Sequence, residues 1–420
     1  MMLKSEIFDK IQFLFETYKF NDHNLHCIIY FNGNANKVIL EKALAMTLDV
    51  VPILGSQYVE NVNEPYWRKE ESSSFKEILT FANSKDEFEA FITSKIDVLI
   101  GPQVKACLLS SNNDSLCILM NHMVCDAAGF KTYLYLLCSL YSTLLVNPDY
   151  KSDCLLDGDR SIKLINRQFS FGDKLKNLLM QRGESNGSID LNFPMSSGEE
   201  IKPFVLMYEV KEDRFLAIKK YSHGHNVTIN DITLAAFYRV LYQILAKQDL
   251  SISIAVDMRK YLKNKNINAL TNLTATAISK IHYEPDDTFD DTVRKVSKEM
   301  NLKKKNLIGL NAIVKVSLLF KCFKYKHVKK LLGKGFHNPM IGMTNIGILD
   351  SKKLCFRGTS IKNAVMFGSM KYRPYFQLAL TSYNNTMTFT VNLYGDLQDK
   401  YNMETFFSLL DKELQFFNVK

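Results

Sequence analysis

The stretch LMNHMVCDAAGF, residues 119–130, joins an apolar run, SLCILMN, to a long segment that is apolar on most faces, AAGFKTYLYLLCSLYSTLL. The first reads as a buried strand and the second as a buried helix. The helix cannot begin much before Ala127, so His122 to Asp126 form a strand-to-helix loop. On a helix two residues four apart would share a face; in a loop each side chain needs its own assignment. His122, with an ordinary pKa near ~6.5, can take a proton from an alcohol or amine at neutral pH. Asp126 can orient the ring, pair with an arginine, or cap the helix through its side-chain oxygen. Spacing alone does not separate these readings from a satisfied core histidine followed by a helix cap.

Upstream, HNLHCIIYFNG reads as a strand and NKVILEKALAMTLDVV as an amphipathic helix, and PQVKACLLSS is joined to SLCILMN through the turn residues SNND. Downstream, residues 183–203, GESNGSIDLNFPMSSGEEIKP, are rich in Gly, Ser, Asn and Pro without a period, which reads as a linker. A second mixed half follows, with strands at FVLMYEV, SISIAVDM and TATAISKI, two helical segments between Asp287 and Leu332, and four late strands at MIGMTNIG, IKNAVMFG, FQLALTS and MTFTVNLY. Thr228 and Asn230 are both able to cap the helix in NDITLAAFYRVLYQIL. The expected division is an N-terminal unit over 1–185 carrying the histidine loop, a linker over 186–203 and a C-terminal unit over 204–420, each α+β.

With 420 residues, 46% hydrophobic and 23% charged, the chain can bury sizeable cores without disulfides or metal. Its eight cysteines are scattered, have mostly apolar neighbours and lack C-x-x-C spacing; they read as reduced core thiols, against a secreted disulfide framework or a zinc site. His223 and His225 flank a glycine with no third ligand nearby and read as loop residues, so no metal is expected. Trp67 reads as a packing anchor. The N-terminus carries charges through its apolar positions, lacks a small-residue cleavage site, and no apolar run reaches about 18 residues, so a soluble cytoplasmic protein is expected.

The net charge of +9 is uneven: between Lys298 and Lys334 eleven lysines accompany one acid, Glu299. That segment reads either as a solvated helical face or as a surface for an anionic partner. Nucleic acid is disfavoured, because the lysines sit among aliphatic residues and not among Arg and exposed aromatics. There is no nucleophile elbow and no Gly-rich phosphate loop, so an enzyme built on this chain would use a base and a bound electrophile.

Four places, spanning almost the whole chain, carry a family resemblance: NHMVCDAAG; VTINDITLAAFYRVL; IAVDMRKYL, with Asp257 and Arg259; and TNIG, from Thr344, taken with SYNNTMTFTVNLYGD, from Ser382. Together they resemble the superfamily of coenzyme-A-dependent acyltransferases that includes chloramphenicol acetyltransferase, nonribosomal peptide condensation domains, plant-type alcohol acyltransferases and polyketide-associated acyltransferases. The chain departs from the pattern at Asn121, where a histidine often precedes the catalytic one, and at Ala127, where a glycine often follows the aspartate. The plant-type D-F-G-W-G segment is absent, which argues against a plant-type enzyme. No adenylation or carrier domain is attached, so a condensation partner would act in trans.

The resemblance implies two chloramphenicol-acetyltransferase-like subdomains in a V-shaped pseudo-dimer, with a central tunnel and His122 at its middle. It implies transfer of an acyl group from a thioester, on coenzyme A or on the phosphopantetheine of a carrier protein, to a hydroxyl or amine acceptor. His122 would be the general base, with no acyl-enzyme and no bound cofactor. Asp126 would be structural, paired with Arg259, and Gly129 would let the helix start approach the donor's pantetheine arm. Ser382, Asn384 or Asn345 would donate to the developing oxyanion; the competing reading makes Ser382 and Asn384 turn residues. The Lys298–Lys334 segment would dock coenzyme A or an acidic carrier protein, with a membrane surface less favoured. The rival readings are a free-standing condensation enzyme joining two carrier-bound substrates through an amide, and a non-catalytic binder of thioesters or carrier proteins, which has no need of the base.

Overall fold

The computed structural model describes residues 1–71, 75, 78–180, 191–264, 267–335 and 340–417. The N-terminal half runs β1 (Met2–Lys4), α1 (Ile7–Thr17), β2 (Asn24–Asn32), α2 (Lys37–Val50), β3 (Ser56–Val59), β4 (Tyr66–Lys69), β5 (Leu79–Ala82), α3 (Lys85–Ile92), β6 (Val104–Leu109), β7 (Ser115–Asn121), α4 (Ala127–Val146), α5 (Lys163–Asn166) and α6 (Phe171–Met180). The C-terminal half continues with β8 (Lys202–Val210), α7 (Glu212–Gly224), α8 (Ile229–Leu245), β9 (Asp249–Asp257), β10 (Thr274–His282), α9 (Phe289–Lys305), α10 (Leu310–Cys322) and α11 (Tyr325–Gly335). It ends with β11 (Ile341–Leu349), β12 (Ser360–Phe367), β13 (Lys371–Tyr372), β14 (Phe376–Tyr383), β15 (Thr386–Gly395) and α12 (Leu397–Leu414).

The architecture is α+β, with one main sheet in each half. The first sheet has the order β12-β2-β7-β6-β5, the second β10-β9-β11-β14-β15-β13 with β8 on β15, and a small sheet β1-β4-β3 sits apart. β7 is central and buried on both faces from Leu116 onward, which explains its unbroken apolar run. The helix α4 starts where the sequence places it, because Asp126 adopts extended backbone and accepts from the Gly129 N–H, satisfying one of the helix's free donors. In α8 the cap is Thr228, locked in a reciprocal box with Asp231, rather than Asn230.

The two helical segments read between Asp287 and Leu332 are three. Leu307 and Gly309 take left-handed backbone, with φ of 55° and 89°, and end α9; extended backbone at Phe323 parts α10 from α11. Of the linker, residues 186–190 lie outside the described residues. Leu191 and Phe193 are buried in the C-terminal core, together with Ile162 and Ile165 from ahead of the linker.

The strand β12 leaves its own half. It pairs antiparallel with β2, Met366 opposite Cys27 and Phe367 opposite His26, and so closes the edge of the N-terminal sheet. Val365, Met366 and Phe367 are each at most 2% exposed. Burying three such side chains contributes roughly 1.5–3 kcal/mol each, which exceeds the roughly 0.6 kcal/mol that each doubling of a connecting loop costs. The crossover is therefore a firm part of the N-terminal core, and the following residues, Gly368 to Lys371, are carried to the boundary between the halves.

Candidate functional site

The loop from His122 to Asp126 is held from several sides. Its first residue donates its backbone N–H to the His23 carbonyl at 2.6 Å. The preceding Asn121 is fully buried: its Nδ2 donates to Gln103 at 2.6 Å and its Oδ1 accepts the Met123 N–H at 2.8 Å, so it shapes the turn and does not line the cavity. Asn272 donates to the His122 carbonyl at 2.7 Å and the Met123 carbonyl at 3.3 Å. Arg160 donates to the Met123 and Val124 carbonyls at 3.3 and 3.0 Å, and its guanidinium grips the buried Asp9 with two bonds of 3.0 Å. Asp9 also accepts the Trp67 indole N–H at 2.9 Å, so the packing anchor is wired to the loop.

Asp126 and Arg259 meet across the halves. The guanidinium Nη1 lies 2.8 Å from Oδ2, which also accepts the Leu273 N–H at 2.7 Å and the Thr274 hydroxyl at 3.0 Å. Arg259 further donates to the Thr271 carbonyl at 2.8 Å and to Asp257 at 3.1 Å. Burial alone would raise the Asp126 pKa, but the arginine and the N–H donors hold it below the ordinary carboxylate range.

His122 lines a cavity of about 420 Å³ walled by both halves. Its Nδ1 is 3.0 Å from the Cys125 carbonyl. A carbonyl can only accept, so Nδ1 carries the hydrogen and Nε2 holds a free lone pair. Burial lowers the His122 pKa below its ordinary value, and the Lys371 ammonium acts the same way against the pull of Asp126. The ring is therefore neutral at physiological pH.

Other expected site residues fall elsewhere. Gly129 does not line the cavity; a Cβ there would sit 2.6 Å from the Cys125 Cβ and 3.2 Å from the Thr271 carbonyl oxygen, so its missing side chain serves close packing of the helix start. Of the three oxyanion candidates none lines the cavity. Asn345 is exposed on β11, bonded to Asn230 at 3.2 Å, because side chains alternate along a strand and it is Thr344 and Ile346 that face the cavity. Ser382 is five residues beyond the cavity-lining Gln377, roughly 17 Å along β14. Asn384 is a turn residue with φ of 49°.

Sequence reasoning missed Arg160, Asn272, Ser369 and Lys371. Arg160 and Asn272 lie in irregular segments without a period, and the other two reach the cavity only because β12 crosses to the other half. His225 closes α7 and stacks on Tyr221 at 3.9 Å between ring centroids. Five of the cysteines are buried, and Cys154, Cys322 and Cys355 are at the surface, unlike the core thiols expected. Among the described residues there is no group of three His, Cys, Asp or Glu that could hold a metal, and no helix long and apolar enough to cross a membrane.

No protein-family model and no curated protein matches the sequence. Solved structures do match over nearly the whole chain. The trichothecene 15-O-acetyltransferase TRI3 from Fusarium sporotrichioides is similar with a TM-score of 0.75 and 13% identity, over 100% of this chain and 96% of that one. The first condensation domain of the calcium-dependent antibiotic synthetase gives 0.71 and 14%, over 98% and 95%. The epimerization domain from the third module of tyrocidine synthetase B gives 0.71 and 12%, over 99% and 97%. The chain thus shares the fold of these acetyltransferase, condensation and epimerization structures. That fold hosts more than one reaction, so the activity has to be argued from the site.

Proposed function

We propose that the protein is an acyltransferase that moves an acyl group from a thioester, on coenzyme A or a carrier protein, to a hydroxyl or amine acceptor. The observation that carries this reading is the placement of His122 in a cavity walled by both halves, with Nδ1 engaged by the Cys125 carbonyl and Nε2 left to act as a base. Nε2 takes the acceptor's proton as its oxygen or nitrogen attacks the thioester carbonyl carbon. The tetrahedral intermediate collapses with rupture of the C–S bond, and the imidazolium returns the proton to the thiolate. A positioned base of this kind contributes about 10² to 10⁴ in rate.

Asp126 and Arg259 are positioning residues in this scheme, fixing the loop that presents the ring. The lysine-rich segment on α9–α11 serves as the docking face for an anionic donor or an acidic carrier protein; Lys315 at the cavity's rim links that face to the site. Amide-forming condensation of two carrier-bound substrates uses the same base and differs in the donor and acceptor supplied. The test is thiol release from a panel of acyl-coenzyme A and acyl-carrier donors, each with alcohol and amine acceptors, in the native protein and in His122→Ala. The reading requires a donor–acceptor pair whose turnover collapses in the variant; turnover that survives the substitution defeats it.

A further inference from the structure

The segment Gly368-Ser369-Met370-Lys371 follows the crossover strand β12. Ser369 and Lys371, two residues apart, both line the cavity, whereas Met370 between them is fully buried and does not. Ser369 is 3% exposed, and its buried hydroxyl has no hydrogen-bond partner within the protein. The Lys371 ammonium reaches the Asn21 side-chain oxygen at 3.4 Å, and among the described residues no carboxylate lies within 4 Å of it. Asp22 is near enough to act on it electrostatically, but its Oδ1 accepts the N–H groups of Asn24 and Met370 at 3.1 and 3.0 Å. A buried hydroxyl without a partner and a cation without a contact counter-ion, on one wall of a cavity, are both costly unless something occupies the site.

Two features extend this. Asp126 is the only carboxylate lining the cavity among the described residues, and Arg259 neutralises it, whereas Lys315 and Lys371 add positive charge. The segment is also tied to the base. The Met370 carbonyl accepts the Asp22 N–H and the Met370 N–H donates to the Asp22 carboxylate, Lys371 forms a β-bridge with Asn21, and the next residue, His23, accepts the His122 N–H at its carbonyl, so the residues from Asn21 to His23 hold both the lysine and the histidine.

We propose that Ser369 and Lys371 form an anion-binding subsite of the cavity that takes a carboxylate on the acyl acceptor, so that acceptors are carboxylate-bearing alcohols or amines. The word acceptor rests on the acyl-transfer reading; the anion site itself does not. The site is tested by equilibrium titration of the full-length protein with benzoate and with benzamide, which share a shape and differ in charge. Benzoate should bind about tenfold more tightly or better, the preference should vanish in Lys371→Met, weaken in Ser369→Ala and persist in Lys371→Arg. Equal binding of the two probes, or a preference untouched in Lys371→Met, overturns the subsite. Circular dichroism of each variant separates lost binding from lost folding, with Ser369→Ala and Lys371→Arg as the milder probes. Acyl transfer failing with every donor while the benzoate preference persists would remove the enzyme reading and leave the subsite. Lys371→Met slowing uncharged acceptors as much as carboxylated ones would assign the cation to the tetrahedral oxyanion and overturn the acceptor assignment.

Discussion

The Asp126 carboxylate and the Arg259 guanidinium, 133 residues apart in sequence, meet at 2.8 Å where the two halves join. The carboxylate divides its work between its oxygens: Oδ1 caps α4 through the Gly129 N–H, and Oδ2 takes the arginine, the Leu273 N–H and the Thr274 hydroxyl. One side chain thus fixes the end of the histidine loop to its own helix and to the opposite half.

Arg259→Met leaves Asp126 buried without its cation. Removing one partner of a buried pair costs about 3–5 kcal/mol, and the urea unfolding midpoint should fall accordingly. A loss below about 1 kcal/mol would mean that the backbone donors alone hold the carboxylate. The native pair also predicts a pH response. Because the Asp126 pKa is lowered on folding, its stabilisation is present above the unfolded value near ~3.9 and is lost as pH falls through the lower folded value. The variant should therefore lose less stability than the native protein on acidification below about pH 4.

Arg160→Lys should also destabilise, although it keeps the charge. A lysine cannot reproduce the two bonds to Asp9 together with those to Met123 and Val124. A double-mutant cycle with Asp9→Asn should give a coupling of about 0.5–3 kcal/mol; additive effects would show that the two residues act independently.

Gly129→Ala tests the packing at the helix start. Alanine in a helix ordinarily gains about 1 kcal/mol over glycine, but here the new methyl meets the Cys125 Cβ at 2.6 Å. Cβ is fixed to the backbone and cannot swing away, so a net loss of about 1–3 kcal/mol is expected. Denaturant unfolding decides the sign.

For acyl transfer, the acid limb of the kcat/KM profile should be centred below 6.5, the ordinary histidine value. Burial holds the His122 pKa below that value, and the neutral ring is the active form. An acid limb centred above 6.5 would point to a different base.

Asn345→Ala and Ser382→Ala should leave turnover within about twofold, because neither side chain lines the cavity. Thr344→Val, which removes a hydroxyl that does line it, is the informative partner variant. A large loss in Asn345→Ala with no loss in Thr344→Val would contradict the strand's alternation.

Local pattern determined a good deal. The break between an apolar strand and a helix set His122 and Asp126 in a loop, Asp126 had the chemistry of a cap, and the apolar periods of the late strands and of α2, α4, α8 and α12 placed those elements. What residue spacing left open was every relation across the chain. The parity that turns Thr344 into the cavity and Asn345 out of it depends on which face of β11 is covered. The delivery of Ser369 and Lys371 to the site depends on β12 pairing with β2 rather than staying in its own sheet. The hold of Arg160 and Asn272 on the His122 loop comes from irregular segments whose paths only packing defines. Periodicity reports short-range exposure; the register and partner of a strand are set by long-range burial, and those decisions placed the polar groups around His122.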